Sequence, residues 1–527
     1  MSVTDRKYPV GIQTFSEIIR GEYIYVDKTD LVWRMLQLAK FIFLSRPRRF
    51  GKSLLSSTLH SFFAGDKQLF EGLKVMQLET EWKKYPVLHF DLSATKHLDI
   101  QGIKAELGLQ LAEMEKVYGR RQEEVSPGMR FGGVIRRAME QTGQQVVIII
   151  DEYDAPLLDV LHDDERLLEV HEVLQEFYQR LKMFDPMIRF CFITGITKFS
   201  QLSIFSTINN LTNISMLPDF AALCGITDEE LLTTLSEDIC LLAERNGCTP
   251  EEMHDRLKRM YDGYRFSEES PDIYNPFSLM KAFLLKKLDS YWFESGTPTF
   301  LIRQMQRFGT NITSLEALEA PLSAFDRPTE AMTTALPLLY QSGYLTIKDY
   351  NPESQAYTLS LPNQEVRVGY IEGLLPTYVG LESADVQMGF ALKFWRALKN
   401  DDIEQAMSSM KAYMASLPYI EGFKKKLKEP ATREGFYEYT LYLIFSMLNV
   451  YVRTQVKCAN GRIDMVVKMP TSLYVFEFKI DGSAQDALQQ IDTNRYAIPY
   501  ETDGRKVVKI GVNFNTETRI PEDWVVE

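Results

Sequence analysis

The chain has 527 residues, of which 45% are hydrophobic and 25% are charged, and its formal net charge is −13. This length is too great for a single hydrophobic core, so two to four globular domains are expected. The acidic balance argues against nucleic-acid binding over the whole surface, although it leaves room for a local basic groove.

Five cysteines are present, an odd number, and no two of them have C-x-x-C spacing. The first residues lack an apolar segment of the signal-peptide kind, and no apolar run approaches eighteen residues. We therefore expect no disulfides, no structural zinc, no membrane span and a cytoplasmic location.

The first half alternates short apolar runs with helical patterns, which is typical of a parallel α/β sheet. Helices are predicted for SLLSSTLHSFF and RLLEVHEVLQEFYQRLKMF. Strands are predicted for Phe41–Leu44, Val87–Asp91, Val146–Ile150 and Arg189–Thr194. In such a sheet, ligands bind beyond the carboxyl ends of the strands.

A phosphate-binding loop is predicted where the first strand runs into a helix, in FIFLSRPRRFGKSLLSSTLHSFF. Gly51 would let the backbone approach phosphates closely, Lys52 would reach the β- and γ-phosphates, and Ser53 would bind Mg²⁺. The alternative is a chance G-K-S sequence at the start of a helix.

The head of this loop departs from the pattern G-x-x-x-x-G-K-[ST], because Arg46 stands where the first glycine is expected. Pro47 would fix the turn in place of that glycine. Arg48 and Arg49 would add positive charge close to the bound anion.

The strand in QQVVIIIDEYDAPL ends in Asp151 and Glu152. In P-loop ATPases, an aspartate at this point holds Mg²⁺ and a glutamate polarises the attacking water. Thr194 ends another predicted strand and Lys198 follows it, and both are candidates to sense the γ-phosphate. The alternatives are that Asp151 and Glu152 form an ordinary acidic turn after a buried strand, that Thr194 only ends a strand, and that Lys198 is a solvated loop residue. The whole pattern predicts a site for ATP and Mg²⁺.

From about Asp228 the sequence becomes helical, and LPLLYQSGYLTIKDY with AYTLSLP predicts a helix followed by a small hairpin, as in winged-helix modules. A further helix is predicted for DIEQAMSSMKAYMASL. In YDGYRF, the aromatic side chains of Tyr261, Tyr264 and Phe266 could stack nucleic-acid bases, with packing in the core or in a lid as the alternative.

Four phrases together resemble the predicted AAA-ATPase family of bacteria and archaea: YPVGIQTFSEIIRGEYIYVDKTDLV, RPRRFGKSLL, IIIDEYDAPL, and YDGYRF with YNPFSL. In that family the arginine-proline loop head is usual, and members commonly carry a C-terminal nuclease-like domain of the PD-(D/E)XK superfamily. The resemblance implies a P-loop AAA-ATPase-like domain over 1–285, a helical or winged-helix-like connecting region over 286–375, and a restriction-endonuclease-like α/β domain over 376–527.

A metal-dependent nuclease of this superfamily needs two carboxylates to hold Mg²⁺ and a lysine to position or activate water. RIDMVVKM and LYVFEFKI are predicted to be two strands of a hairpin. Alternation along the second strand puts Glu477 and Lys479 on one face, and Asp464 precedes them on the neighbouring strand. The alternative is an exposed cross-strand ion pair.

The resemblance implies further site residues in the C-terminal region. Glu434 matches an additional metal-binding acid, with Glu438 one helical turn later as the alternative, and Gln490 and Tyr496 match a glutamine–tyrosine element. The lysines in GFKKKLKEP could touch a phosphate backbone or form a solvated helix face. No histidine follows His254, and no G-x-S-x-G motif is present, which excludes histidine-based chemistry there and the commonest serine-hydrolase signature.

The resulting hypothesis is an ATPase fused to a Mg²⁺-dependent nuclease that acts on DNA rather than RNA, in defence or repair. ATP binding would control access of nucleic acid to the nuclease site. One alternative is an ATP-dependent switch with a non-cleaving nuclease-like domain, and another is a protein scaffold. A homo-oligomer is left open, because ATPases of this kind often need an arginine from a neighbouring copy.

Overall fold

The computed structural model describes residues 6–96, 98–161, 163–198, 211–295, 301, 304–305, 307–308, 318–327, 332–370, 384–416, 451–458, 461–469, 471–501, 503–515, 517–518 and 520–527. The chain divides into two compact units. The first unit comprises Met1–Thr310 and Leu315–Val366, and the second comprises Asn311–Ser314 and Arg367–Glu527.

The first unit is built on a five-stranded parallel sheet of order β2-β3-β4-β1-β5. Its strands are β1 Phe41–Ser45, β2 Val87–Asp91, β3 Val146–Asp151, β4 Ile188–Gly195 and β5 Leu211–Asn213. Every residue of β3 is buried, as expected for an aliphatic strand covered on both faces. The four predicted strands are confirmed, and the short edge strand β5 was not predicted.

The predicted helices of this unit are confirmed. Eleven described helices surround or follow the sheet: α1 Phe15–Arg20, α2 Thr29–Leu38, α3 Lys52–Phe63, α4 Ile100–Tyr118, α5 Pro127–Thr142, α6 Ala155–Leu158, α7 Asp164–Met183, α8 Asp228–Thr234, α9 Ser236–Arg245, α10 Pro250–Tyr261 and α11 Pro276–Leu285. The start of α10 is set by local sequence, because Thr249 and Glu252 form a capping box and Pro250 occupies the first turn.

Helices α8 to α11 pack around their own apolar cluster, beside a two-stranded sheet of β6 Ile226–Thr227 and β7 Ile273–Tyr274. Tyr261, Tyr264 and Phe266 of the YDGYRF segment are buried. The rings of Tyr264 and Phe266 contact Phe50, a residue of the phosphate loop. The packing alternative is therefore confirmed for these aromatic residues.

The first unit also contains a three-stranded antiparallel sheet of order β8-β10-β9. It comprises β8 Leu318–Pro321, β9 Thr346–Asn351 and β10 Ala356–Ser360, with helices α12 Leu322–Phe325 and α13 Leu336–Gln341. Helix α13 precedes the β9–β10 hairpin, so the predicted helix-then-hairpin order is confirmed. The winged-helix-like label and the three-domain division remain predictions.

The second unit contains a mixed five-stranded sheet in which β13 and β14 are parallel and the other neighbours are antiparallel. Its strands are β11 Tyr451–Cys458, β12 Gly461–Lys468, β13 Ser472–Ile480, β14 Lys506–Phe514 and β15 Pro521–Val526, and its described helices are α14 Ala384–Lys399, α15 Ile403–Ser416 and α16 Ala484–Thr493.

The predicted alternation of β13 between two faces is confirmed. Phe476 and Phe478 pack in the cluster that includes residues of α14 and α15. Val475 packs in a separate cluster with Leu488 and Ile491 of α16. Glu477 and Lys479 thus belong to the face that α16 covers.

In the part of the chain that the structure describes, no helix is both long and apolar enough to cross a membrane. Four cysteines are described there as free thiols, namely Cys191, Cys224, Cys240 and Cys248.

Candidate nucleotide and metal sites

The phosphate loop connects β1 to α3 and folds around the side chain of Lys52. Two of its residues have left-handed backbone conformations, with φ values of 65° at Arg49 and 91° at Gly51. Lys52 is only 4% exposed, and its Nζ donates hydrogen bonds to the carbonyl oxygens of Arg46 at 3.1 Å and Pro47 at 3.2 Å. An ammonium group enclosed by a turn at a helix N-terminus is the arrangement that binds phosphate.

Arg46, at the position of the missing glycine, turns its side chain into the protein. It is 1% exposed, and its Nη1 donates to the carbonyl oxygens of Ser45 at 2.9 Å and Ser215 at 2.7 Å. Its Nη2 donates to the carbonyl oxygen of Phe220 at 3.2 Å, and the guanidinium lies 3.9 Å from the ring centroid of Phe266. Arg46 therefore anchors the loop from behind.

This anchoring predicts that restoring the consensus glycine is harmful. We expect Arg46→Gly to lower the free energy of unfolding of the first unit by about 3 kcal/mol, because it leaves buried carbonyl oxygens without donors. Arg46→Lys should lose much of the same stability, because an ammonium cannot reproduce the planar set of donors. Chemical denaturation measures both variants, and a glycine variant as stable as the wild type would contradict this role.

Asp151 ends β3 beside the phosphate loop. It is buried, and its Oδ1 accepts a hydrogen bond from the backbone N–H of Glu152 at 2.9 Å. Burial raises the pKa of the Asp151 carboxyl to about 6, although a hydrogen bond with Ser53 and the charge of Lys52 act in the opposite direction. The structure thus brings the two predicted Mg²⁺ ligands, Ser53 and Asp151, into contact. A cation there would offset the cost of burying the carboxylate.

Glu152 has a left-handed backbone conformation with φ of 49°, and its side chain lines the cavity described below. Burial raises the pKa of the Glu152 carboxyl, but the charges of Lys52, Lys96 and Arg48 outweigh burial and the net pKa is lowered. The group is therefore held ionised, as a carboxylate that accepts a hydrogen bond from water must be.

Lys96, which the sequence reasoning missed, contacts Glu152. Its Nζ lies 3.4 Å from Oε2 of Glu152, and both side chains line the cavity. Lys96 follows β2, and Asp91 at the end of β2 pairs in register with Asp151. Only the pairing of β2 with β3 would have revealed that Lys96 lies beside Glu152, and the sequence alone does not show which strands are neighbours.

The structure does not bring Thr194 to the cavity wall. Its buried hydroxyl donates to the carbonyl oxygen of Leu44 at 2.7 Å. The Nζ of Lys198 lies 2.7 Å from Oδ2 of Asp326. Asp154, which was not predicted, accepts hydrogen bonds from the backbone N–H groups that follow β4 and so ties the ends of β3 and β4 together.

A cavity of about 630 Å³ opens beside the phosphate loop, a size typical of small-molecule sites. Its polar wall includes Arg48, Lys52 and Ser53. Its apolar wall is formed by residues of the N-terminal segment and of α11, namely Pro9, Val10, Ile12, Tyr25, Val26, Phe277 and Met280.

This division of the cavity suits a nucleoside phosphate, with the anion at the loop and the base at the apolar wall. Arg49 contacts that wall as well, since its guanidinium lies 3.7 Å from the ring centroid of Phe277. Among the described residues, no group of three His, Cys, Asp or Glu side chains is placed to hold a metal ion. That finding is compatible with Mg²⁺, which is commonly bound by one or two protein ligands together with substrate phosphates.

The second candidate site lies in the second unit, at the point where the antiparallel pairing of β12 with β13 ends. The last pair is Met465 opposite Phe476, so Asp464 and Glu477 are the next residues of the two strands. Oδ2 of Asp464 accepts a hydrogen bond from the backbone N–H of Phe478 at 2.9 Å, and the N–H of Asp464 lies 3.5 Å from Oε2 of Glu477. Glu477 is only 2% exposed, which contradicts the exposed ion-pair alternative.

Gln490 of α16 connects the remaining residues of this site. Its Nε2 donates to Oε1 of Glu477, and its Oε1 accepts from Nζ of Lys479. Tyr496 is also buried, and its hydroxyl accepts hydrogen bonds from the backbone N–H of Arg462 at 3.2 Å and from Asn494 at 2.9 Å. Asp464, Glu477, Lys479 and Gln490 thus form one continuous polar cluster.

Other predicted residues lie outside the described part of the chain. They are Glu434, Glu438, Lys424, Lys425, Lys426 and Lys428. The two described carboxylates, Asp464 and Glu477, supply oxygen ligands of the kind that Mg²⁺ accepts.

Comparisons with known proteins cover both sites. The model of the predicted AAA-ATPase family matches residues 9–205, and that of the PD-(D/E)XK nuclease superfamily matches residues 432–524. A protein of Azotobacter chroococcum mcd 1, described as an uncharacterized protein in the vnfD 5' region, is 34% identical over 534 residues and is covered, like this chain, over 99% of its length.

Proposed function

The chain belongs to the predicted AAA-ATPase family and carries a C-terminal domain of the PD-(D/E)XK nuclease superfamily, and we propose that it is an ATPase whose nucleotide state controls a Mg²⁺-dependent nuclease acting on DNA. The observation that carries the proposal is the presence of two sites in one chain, one built around Lys52 and the other around Glu477. A cytoplasmic location and a role in defence or repair belong to the same proposal.

At the first site, Lys52 neutralises phosphate charge while the amide groups of the loop orient the anion. Ser53 and Asp151 would hold Mg²⁺, which would supply positive charge beside the phosphates. Glu152, held ionised by its cationic neighbours, accepts a hydrogen bond from the attacking water. Arg48 adds positive charge at the entrance.

Lys96 has a positioning role in this proposal, because its contact with Glu152 fixes the direction of the carboxylate. We expect Lys96→Met to lower kcat for ATP hydrolysis about tenfold and to change KM less than about threefold, since the lysine acts through a residue that orients water. Lys96→Arg should retain at least half of kcat. Steady-state kinetics measure both values, and a Lys96→Met variant with unchanged kcat would remove Lys96 from the mechanism.

At the second site, Asp464 and Glu477 would hold the metal ion, and the resemblance of the sequence implies Glu434 as a further acid. Metal ions in such sites lower the pKa of bound water and stabilise charge on a phosphodiester. Lys479 positions the water, and Gln490 holds Lys479 and Glu477 in fixed relative orientation through its two hydrogen bonds. Buried acids need such partners, because an unpaired carboxylate is costly to bury.

The first experiment incubates the full chain with supercoiled plasmid, linear single-stranded DNA and RNA of matched length, with Mg²⁺ or Mn²⁺, and with or without ATP. Release of phosphate from ATP is measured in the same tubes. Metal-dependent DNA cleavage that changes with ATP supports the proposal. ATP hydrolysis without cleavage under any condition supports the alternative of an ATP-dependent switch, and cleavage of RNA alone would overturn DNA as the substrate.

A further inference from the structure

A chain of hydrogen bonds leads from the phosphate loop through Trp292 to Glu365. Nε1 of Trp292 donates to the carbonyl oxygen of Arg48 at 3.3 Å. The backbone N–H groups of Trp292 and Tyr291 in turn donate to Oε1 of Glu365, at 2.9 Å and 2.7 Å. The buried carboxylate of Glu365 thus holds the backbone of Trp292, and the indole of Trp292 holds the phosphate loop.

Glu365 has a particular place in the chain. It lies in a helical stretch over 364–370, and the side chain of Asn363 caps this stretch by accepting from the N–H of Val366 at 3.0 Å. The first compact unit ends at Val366 and the second continues from Arg367. The same helical stretch therefore contains Glu365, which holds Trp292, and Arg367, from which the larger segment of the second unit continues.

The Glu365 carboxylate is buried, which has an energetic cost that its hydrogen-bond donors offset. Glu365 is 0% exposed, and burial raises the pKa of its carboxyl to about 7 despite the two backbone donors and the charge of Arg49. Arg49 is the loop residue that also packs against Phe277 on the cavity wall. Arg48 and Arg49 are therefore both tied to this region, Arg48 through its carbonyl oxygen and Arg49 through its guanidinium.

We propose that Trp292 and Glu365 are positioning residues that transmit nucleotide occupancy of the cavity to the C-terminal unit. The inference rests on the proposed ATP-binding function. Lys52 donates to two loop carbonyl oxygens, and a phosphate that accepts the third hydrogen of the ammonium would draw it towards the cavity, so the two carbonyls would shift with it when nucleotide binds. Trp292 holds the next carbonyl of the loop, and Glu365 passes the displacement to the helix that enters the second unit.

The test measures hydrogen exchange of the full chain with and without a non-hydrolysable ATP analogue, together with the affinity for that analogue. Trp292→Phe removes the donor to Arg48 and keeps an aromatic ring at the position. Trp82→Phe is the matched control, because Nε1 of Trp82 donates to the carbonyl oxygen of Glu79 at 3.1 Å, a contact that does not involve the phosphate loop.

In the wild type we expect the analogue to change exchange at least twofold in peptides from α16 and β13. The Trp292→Phe variant should bind the analogue within about threefold of the wild type and lose that change, whereas Trp82→Phe should keep it. A Trp292→Phe variant that keeps the full change overturns the relay. Analogue binding with no effect on the second unit of the wild type also overturns it but leaves ATP binding intact, whereas no analogue binding at all overturns the proposed function as well.

Glu365 provides a second pair of variants. Glu365→Gln keeps an oxygen acceptor for the two backbone donors and should retain the nucleotide-dependent change, while Glu365→Ala should abolish it. If the alanine variant does not fold, the Trp292→Phe and Glu365→Gln results decide. Loss of the change in the glutamine variant would show that the charge, rather than the hydrogen bonds, carries the effect, and would overturn the relay as stated here.

Discussion

Lys52→Met is expected to abolish ATP hydrolysis and to weaken nucleotide binding at least a hundredfold. The substitution keeps most of the buried aliphatic stem, so the side chain still fills its place in the loop, but it removes the ammonium that lies 3.1 Å and 3.2 Å from the loop carbonyl oxygens. Loss of a buried charge that pairs with phosphate costs several kcal/mol of binding free energy. Isothermal titration with ATP and Mg²⁺, followed by steady-state hydrolysis assays, measures both effects.

The control for this experiment is Lys116→Met, which removes an exposed lysine near the end of α4. That variant should bind and hydrolyse ATP like the wild type. If ATP controls the nuclease, Lys52→Met should also lose any effect of ATP on DNA cleavage while keeping the cleavage rate measured without ATP. Undiminished hydrolysis by Lys52→Met would mean that the loop is not the nucleotide site.

The sequence predicted most of the elements that depend on local pattern. The aliphatic run before Asp151 predicts a buried strand, and the alternation around Glu477 predicts both a strand and the face on which each side chain lies. The loop between β1 and α3 was also predictable from local pattern. Gly51 and Lys52 lie between a predicted strand and a predicted helix, which is the context of a phosphate-binding loop.

Contacts between distant segments could not be predicted in this way. Arg46 pairs with the carbonyl oxygen of Ser215, 169 positions away, so its burial could not be inferred from the arginine-proline turn alone. Lys96 and Glu152 are 56 positions apart and meet only because β2 and β3 are neighbours. Thr194 was expected at the nucleotide because it ends a strand, yet its hydroxyl bonds to the backbone of β1, which is decided by strand order.

Glu477→Gln is expected to reduce metal-dependent DNA cleavage about a thousandfold, a typical loss when a group essential to a catalytic metal site is removed. The substitution keeps the size and shape of the buried side chain, removes its charge and replaces one acceptor oxygen with an NH₂ group. Glu522→Gln is the matched control, since Glu522 is an exposed glutamate on β15 of the same sheet. Neither variant should alter ATP hydrolysis, because the nucleotide site lies in the other unit.

Metal binding provides an independent measurement of the same residue. A ligand that binds only the folded state raises stability by RT ln(1 + [L]/Kd), so Mn²⁺ should raise the unfolding temperature of the second unit in the wild type and in Glu522→Gln. It should have little effect on Glu477→Gln. In the presence of a chelator, Glu477→Gln should be at least as stable as the wild type, because the adjacent carboxylates of Asp464 and Glu477 then have no cation to offset their repulsion. A Glu477→Gln variant that keeps both cleavage and the metal-dependent stabilisation would show that the metal is bound elsewhere.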